Sequence, residues 1–134
     1  MSPVDDAAID RLVAEARVHG ERARVPYSSF RVGAAVLTAD GMTVGGCNVE
    51  TASYGLAICG ERTAMFSAIA GGHHDLVALA VSCLDGDVDR PATLMPCGAC
   101  RQVMVELLGP DALVIIDGVG RFELHELLPR AFRL

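Results

Sequence analysis

Cys59-Gly60-Glu61 and Pro96-Cys97-Gly98-Ala99-Cys100 are the two segments whose residue types and spacing can do chemistry. A Cys-x-x-Cys pair on one helical turn can bite a single ion, and Cys59 supplies a third sulfur if the two segments lie side by side. Metal binding needs thiolates, and a helix N-terminus favours them because unpaired N–H groups and the positive dipole end gather there. Three protein ligands leave a fourth position open. That opening separates a catalytic zinc from a structural one, because a water held there loses its proton near neutral pH. Glu61, two residues beyond Cys59, is placed to take that proton as a shuttle and not a ligand. Arg62 and Arg101 are candidates to offset the negative charge of a three-thiolate cluster, with Arg62 expected to act on turnover more than on metal content.

These segments need elements to deliver them. Residues 5–18 place Ile9, Leu12, Val13 and Ala16 at helical spacing behind an acidic start, which predicts an amphipathic helix closed by Gly20. Two β-type runs around Ala39-Asp40-Gly41 predict a hairpin over about residues 31–49. Residues 59–70 read as a helix stopped by Gly71-Gly72, and the apolar run from Leu76 as a buried strand. A polar loop at 85–90 ends at Pro91, a second site-bearing helix runs from Cys97 to about Leu108, and residues 113–116 form another buried strand. Residues 120–124 add an edge strand. This order predicts one α/β domain over residues 1–134, with a mixed sheet covered by helices and both cysteine segments at strand-to-helix turns.

Composition narrows the function classes. A chain of 134 residues builds one core, and 51% hydrophobic residues exceed what one small core hides, so self-association is expected. The net charge is -6, and all eleven basic residues are arginines, scattered along the chain. Without lysine there is no Schiff-base amine and no phosphate-loop lysine. Without a basic stripe a small substrate is favoured over a nucleic acid polymer. Five cysteines, an odd number behind an acidic N-terminus unlike a signal peptide, fit free or metallated thiols in a reducing compartment. No apolar run approaches the ~20 residues of a membrane span, so a cytoplasmic protein without membrane contact is expected.

A Cys-x-Glu followed by Pro-Cys-x-x-Cys resembles the zinc deaminase signature in its three-cysteine form. The chain further resembles the short, homotetrameric, three-cysteine cytidine deaminases over about residues 25–132. The resemblance is carried by Pro26-Tyr27-Ser28-Ser29-Phe30, Val32-Gly33-Ala34-Ala35, Asn48-Val49-Glu50, Ala52-Ser53-Tyr54-Gly55, Cys59-Gly60-Glu61-Arg62-Thr63-Ala64, Pro96-Cys97-Gly98-Ala99-Cys100-Arg101-Gln102 and Leu127-Leu128-Pro129-Arg130-Ala131-Phe132. It implies a three-layer α/β/α sandwich with a mixed five-stranded sheet, and hydrolysis of cytidine and deoxycytidine to uridine and deoxyuridine with release of ammonia. It further implies one Zn2+ per subunit on Cys59, Cys97 and Cys100, Glu61 as general acid/base, Asn48 and Glu50 on the ribose 3′-hydroxyl, and Phe30 against the base. Gly60, where alanine is commoner in the family, keeps the backbone N–H used toward the base O2. Neighbouring subunits of the tetramer would lend Ala52 and Tyr54 near the ribose 5′-hydroxyl and Phe132 over the pyrimidine.

Plainer readings stand beside these. The cysteines can instead form a closed structural site with Cys47 or Cys83 as fourth ligand. Otherwise Cys47 and Cys83 are core thiols in apolar strands. His73 and His74 belong to a solvated turn, and Gly33, Gly45 and Gly46 are packing or bulge glycines. A related deaminase of a modified cytosine nucleoside such as blasticidin S shares the metal motif, while Asn48 and Glu50 favour an ordinary ribose.

Overall fold

The computed structural model describes residues 4–134. Helix α1 spans Asp6–Gly20, and its N-cap Asp5 accepts a 2.8 Å hydrogen bond from the Ala8 N–H. Gly20 is its last residue, as expected, with Glu21 as the C-cap. Strands β1 (Val32–Thr38) and β2 (Thr43–Cys47) form the predicted hairpin, turning at Gly41 with φ 91°. Helix α2 (Gly60–Ala70) leads to β3 (Leu76–Cys83), and α3 (Gly98–Leu107) to β4 (Leu108–Ile116) and β5 (Gly120–Glu123). A one-turn helix α4, Leu124–Leu127, follows.

The strands lie in the order β2-β1-β3-β4-β5. Only β3 and β4 are parallel, joined through α3, and the other neighbours are antiparallel, so the sheet is mixed as expected. Alternation along the strands divides the core in two. Ala35, Leu37, Ala78, Ala80 and Ile115 face α1 through Ile9, Leu12 and Ala16. Ala34, Val36, Leu79, Val81, Val114 and Ile116 face the other way, onto α2 and α3 through Ala64, Met65, Ala68, Cys100 and Met104. The result is the three-layer sandwich.

Two glycines let the layers close. A Cβ on Gly33 would fall 1.8 Å from the Ala16 carbonyl oxygen of α1, and one on Gly46 would fall 2.4 Å from the Ala64 nitrogen of α2. Both are packing glycines, and they set α1 and α2 directly on the hairpin backbone.

The structure departs from the sequence reading in two places. Strand β4 begins at Leu108 instead of 113, directly after α3, and its pairing with β3 shifts between Leu76 and Ala78. That irregularity takes up Pro110, which cannot donate to a sheet ladder. Helix α4 is too short for a periodic signal, but it carries a reciprocal capping box between Glu123 and Glu126.

Candidate active site

Two helix starts meet at one end of the sheet. Cys59 is the N-cap of α2 and Cys97 the N-cap of α3, while Cys100 lies in the first turn of α3, fully buried. The Cys97 sulfur accepts from the Cys100 N–H at 3.4 Å, whereas the Cys59 thiol makes no capping bond. The three sulfurs lie within 4.8 Å of one another, with Cys59 and Cys97 3.7 Å apart. Zn–S bonds of about 2.3 Å in a tetrahedron put sulfurs about 3.8 Å apart, so this spacing fits zinc. No fourth Cys, His, Asp or Glu joins the cluster among the described residues, which removes the closed four-thiol alternative.

The charges fit a cation too. Hydrogen bonding with Cys100, followed by Arg62, draws the Cys59 thiol down to about 5. Cys100 is pushed the opposite way by its bond with Cys59 and by burial. Sulfurs this close share their protons, and all three become thiolates only around a positive ion. Arg62 Nη2 donates to the Cys59 sulfur at 3.4 Å, and Arg62 Nε is buried without a partner among the described residues. Arg101 behaves otherwise: its Nε and Nη1 donate to the carbonyls of Pro96 and Leu127, each at 2.8 Å. It braces the start of α3 against α4, so the sulfurs' arginine partner is Arg62.

Glu61 is 5% exposed, and burial pushes its carboxyl up to about 7. It lines a cavity of about 230 Å³ together with Phe30, Val32, Asn48, Cys59, Gly60, Cys83 and Cys97. Gly60 opens α2, so its N–H lacks an intrahelical acceptor. A Cβ there would sit 3.0 Å from the Val32 carbonyl oxygen, so glycine eases the approach of α2 to β1. Cys83 packs against the core as expected and also walls this cavity, a place its apolar strand context did not reveal.

Other site candidates lie outside this cavity. Glu50 and Tyr54 line a neighbouring depression of about 360 Å³ with Tyr27 and Ser28, and the two tyrosine rings meet edge to face at 5.8 Å. Ala52 is exposed. Phe132 is 70% exposed and lines a third groove, beside Phe66 and Gln102, whose side-chain amide donates to the Phe132 carbonyl. One chain thus gathers Phe30, Asn48, Gly60, Glu61 and the thiols, and leaves Ala52, Tyr54 and Phe132 on its surface. His73 and His74 lie in a surface turn, His74 exposed and His73 half-buried beside Asp40 and Asp75.

Three thiols and a buried carboxyl at adjoining helix starts, on a mixed sheet between two helical layers, define a zinc-binding deaminase site. The sequence profile of the cytidine and deoxycytidylate deaminase zinc-binding region matches residues 7–116. A cytidine deaminase of Halalkalibacterium halodurans is 48% identical over 125 residues, 90% of this chain and 91% of that one. The crystal structure of the cytidine deaminase from Mycobacterium tuberculosis superposes with a TM-score of 0.84 at 41% identity, covering 98% of this chain and 100% of that one. That of the Burkholderia pseudomallei cytidine deaminase gives 0.80 at 45% identity, covering 92% and 98%. The chain belongs to the cytidine and deoxycytidylate deaminase zinc-binding family and is an enzyme of its hydrolase class. No helix among the described residues is long and apolar enough to cross a membrane.

Proposed function

We propose that this enzyme deaminates cytidine and deoxycytidine hydrolytically to uridine and deoxyuridine, releasing ammonia, as a step of pyrimidine salvage in the cytoplasm. The observation that carries the reading is the buried Glu61 carboxyl beside the three-thiol cluster, in a cavity of about 230 Å³. One zinc ion per subunit, held by Cys59, Cys97 and Cys100, supplies the Lewis acidity that makes water nucleophilic toward cytosine C4 near neutral pH. Glu61 takes one proton of the attacking water and delivers it to N3, then takes the remaining proton from the new C4 hydroxyl and passes it to the amino group, so that ammonia leaves as the C4 carbonyl forms. Burial raises its carboxyl to about 7, so both the accepting and the donating form are populated near neutral pH.

Binding falls to the remaining residues. The Gly60 N–H donates to the base O2, and Phe30 packs against the ring. Asn48 and Glu50 hold the ribose 3′-hydroxyl. They flank Val49, whose single bridges to Arg24 and Ile58 hold this segment in place. Ala52, Tyr54 and Phe132 act in the sites of neighbouring subunits of a homotetramer. Their exposure in the single chain supports this, as do the exposed Leu56 and Phe66. Nucleosides are preferred over nucleotides, because Arg31 is held by Asp85 and Glu21 and Arg24 donates to the Glu50 carbonyl, leaving these cations committed. The test is incubation of zinc-loaded protein with cytidine, deoxycytidine, their 5′-monophosphates and blasticidin S, following product and ammonia, with Glu61→Gln as control. Uridine from the parent protein alone supports the reading. Ammonia from blasticidin S alone would replace the substrate, and none from any substrate would reject the activity.

A further inference from the structure

Glu50 stands in an unusually complete set of donors for a half-buried carboxylate. Its Oε1 accepts the backbone N–H groups of Tyr27 and Ser28, each at 3.1 Å, and its Oε2 accepts the Ser28 hydroxyl. The same Ser28 oxygen accepts the Phe30 N–H at 3.0 Å. Asn48 ties the other end of this loop, its Oδ1 accepting from the Val32 N–H at 2.9 Å and its Nδ2 donating to the Phe30 carbonyl at 2.8 Å. Between the two anchors Ser29 holds a φ of 58°, a left-handed backbone that a serine adopts only when its neighbours fix it.

Counting groups shows what is left for a ligand. A carboxylate has about four lone-pair directions, of which three are filled here, so one acceptor remains on Glu50, on Oε2. Asn48 has one amide hydrogen left on Nδ2. One acceptor and one donor are the complement of a single hydroxyl group, which both donates and accepts. The two N–H groups hold Oε1 in place, and the Ser28 hydroxyl on Oε2 fixes the remaining rotation about it, so the free acceptor keeps one direction.

We infer that Ser28 is a positioning residue for sugar recognition, its hydroxyl fixing the rotation of the Glu50 carboxylate so that one acceptor is presented to a ribose hydroxyl. The inference rests on the proposed role of Glu50 toward the 3′-hydroxyl and extends it to a residue that does not itself touch substrate. It also links the sugar and base contacts, since the Ser28 oxygen bonds the backbone of Phe30.

The test compares cytidine with 3′-deoxycytidine in the zinc-loaded parent protein, Ser28→Ala and Ser28→Thr. The parent should favour cytidine in kcat/KM by about 10- to 100-fold, the range for a hydrogen bond to a charged group. Ser28→Ala should lose most of that preference, through a KM for cytidine raised about tenfold with kcat within about threefold, and Ser28→Thr should restore it. Mere loosening of the loop would move Phe30 as well and depress both substrates alike. If the alanine variant fails to fold, Ser28→Cys, similar in size but a weak donor, makes the same comparison. An undiminished preference in Ser28→Ala overturns the role of Ser28 and leaves that of Glu50 standing. No preference in the parent protein overturns both.

Discussion

The two faces of the sheet are packed with equal care and do different work. On the α1 face, Ile9, Leu12 and Ala16 meet Ala35, Leu37, Ala78, Ala80 and Ile115, and every buried member of the cluster is aliphatic. On the α2 and α3 face the core also takes in the Cys100 thiol, with Cys59 and Cys83 packed against it and the Glu61 carboxyl buried at the helix start. Both faces bury apolar surface that drives folding. The first takes in only the Ser82 hydroxyl at its edge, satisfied by Asp117, whereas the second accepts a carboxyl and thiols where two helix N-termini supply compensating donors and dipoles.

If that division is real, variants on the two faces should fail in different ways. The largest effect is expected from Glu61→Gln. It should lower kcat by about 10²- to 10⁴-fold, as for removal of a proton shuttle, while elemental analysis still finds one zinc per chain. A fully active variant would end the assignment of chemistry to this face. On the other face, Leu12→Ala should cost about 2–5 kcal/mol in urea unfolding, because Leu12 is fully buried, yet leave kcat/KM unchanged wherever the protein is folded. A loss of kcat/KM in the folded variant would show that the faces are coupled.

Arg62→Ala should reduce kcat about tenfold with zinc content nearly intact, since it removes the donor to the Cys59 sulfur but no ligand. Unchanged turnover would show that the thiolates need no such partner. The smallest effect is expected at the outer edge of the α1 side. There the Asp117 carboxylate receives the Arg17 guanidinium at 2.8 and 2.9 Å and the Ser82 hydroxyl at 2.8 Å. The Arg17 bond holds Asp117 below the usual carboxylate range. A depressed folded value means stabilisation that is present above the unfolded value of about 3.9 and is lost as pH falls through the folded one. Asp117→Asn should therefore be less stable than the parent at pH 7, by about 1 kcal/mol or less. The gap should close as pH falls below about 3.9. A gap that persists at low pH would point to packing instead.

How much of this was legible in the sequence differs by element. The hairpin was readable because Asp40-Gly41 interrupts two β-type runs, and the site helices because each starts at a motif and ends at a glycine pair or strand. The start of β4 was not, because Gly109-Pro110-Asp111 looks like a turn and is held in the sheet only by tertiary pairing with β3. In the site, spacing singled out Cys59, Glu61, Cys97 and Cys100, and the structure brings the three sulfurs together beside the Glu61 cavity. Spacing does not choose between Arg62 and Arg101: Arg62 lies one turn beyond its sulfur, while Arg101 is drawn off by carbonyls of Pro96 and Leu127 that no local pattern reveals. Cys83 and Ser28 were hidden for the same reason, since their neighbours are set by a sheet crossing and a loop closure.

Cys59 and Cys97 are 38 residues apart in the chain, with all of β3 between them, and their sulfurs come together only when that strand has entered the middle of the sheet. Closing so long a loop is a cost that the aliphatic clusters must meet before a metal can find its ligands. The metal-free chain is therefore expected to keep its fold, seen as an unchanged far-ultraviolet circular dichroism spectrum, and to gain activity when zinc is added back.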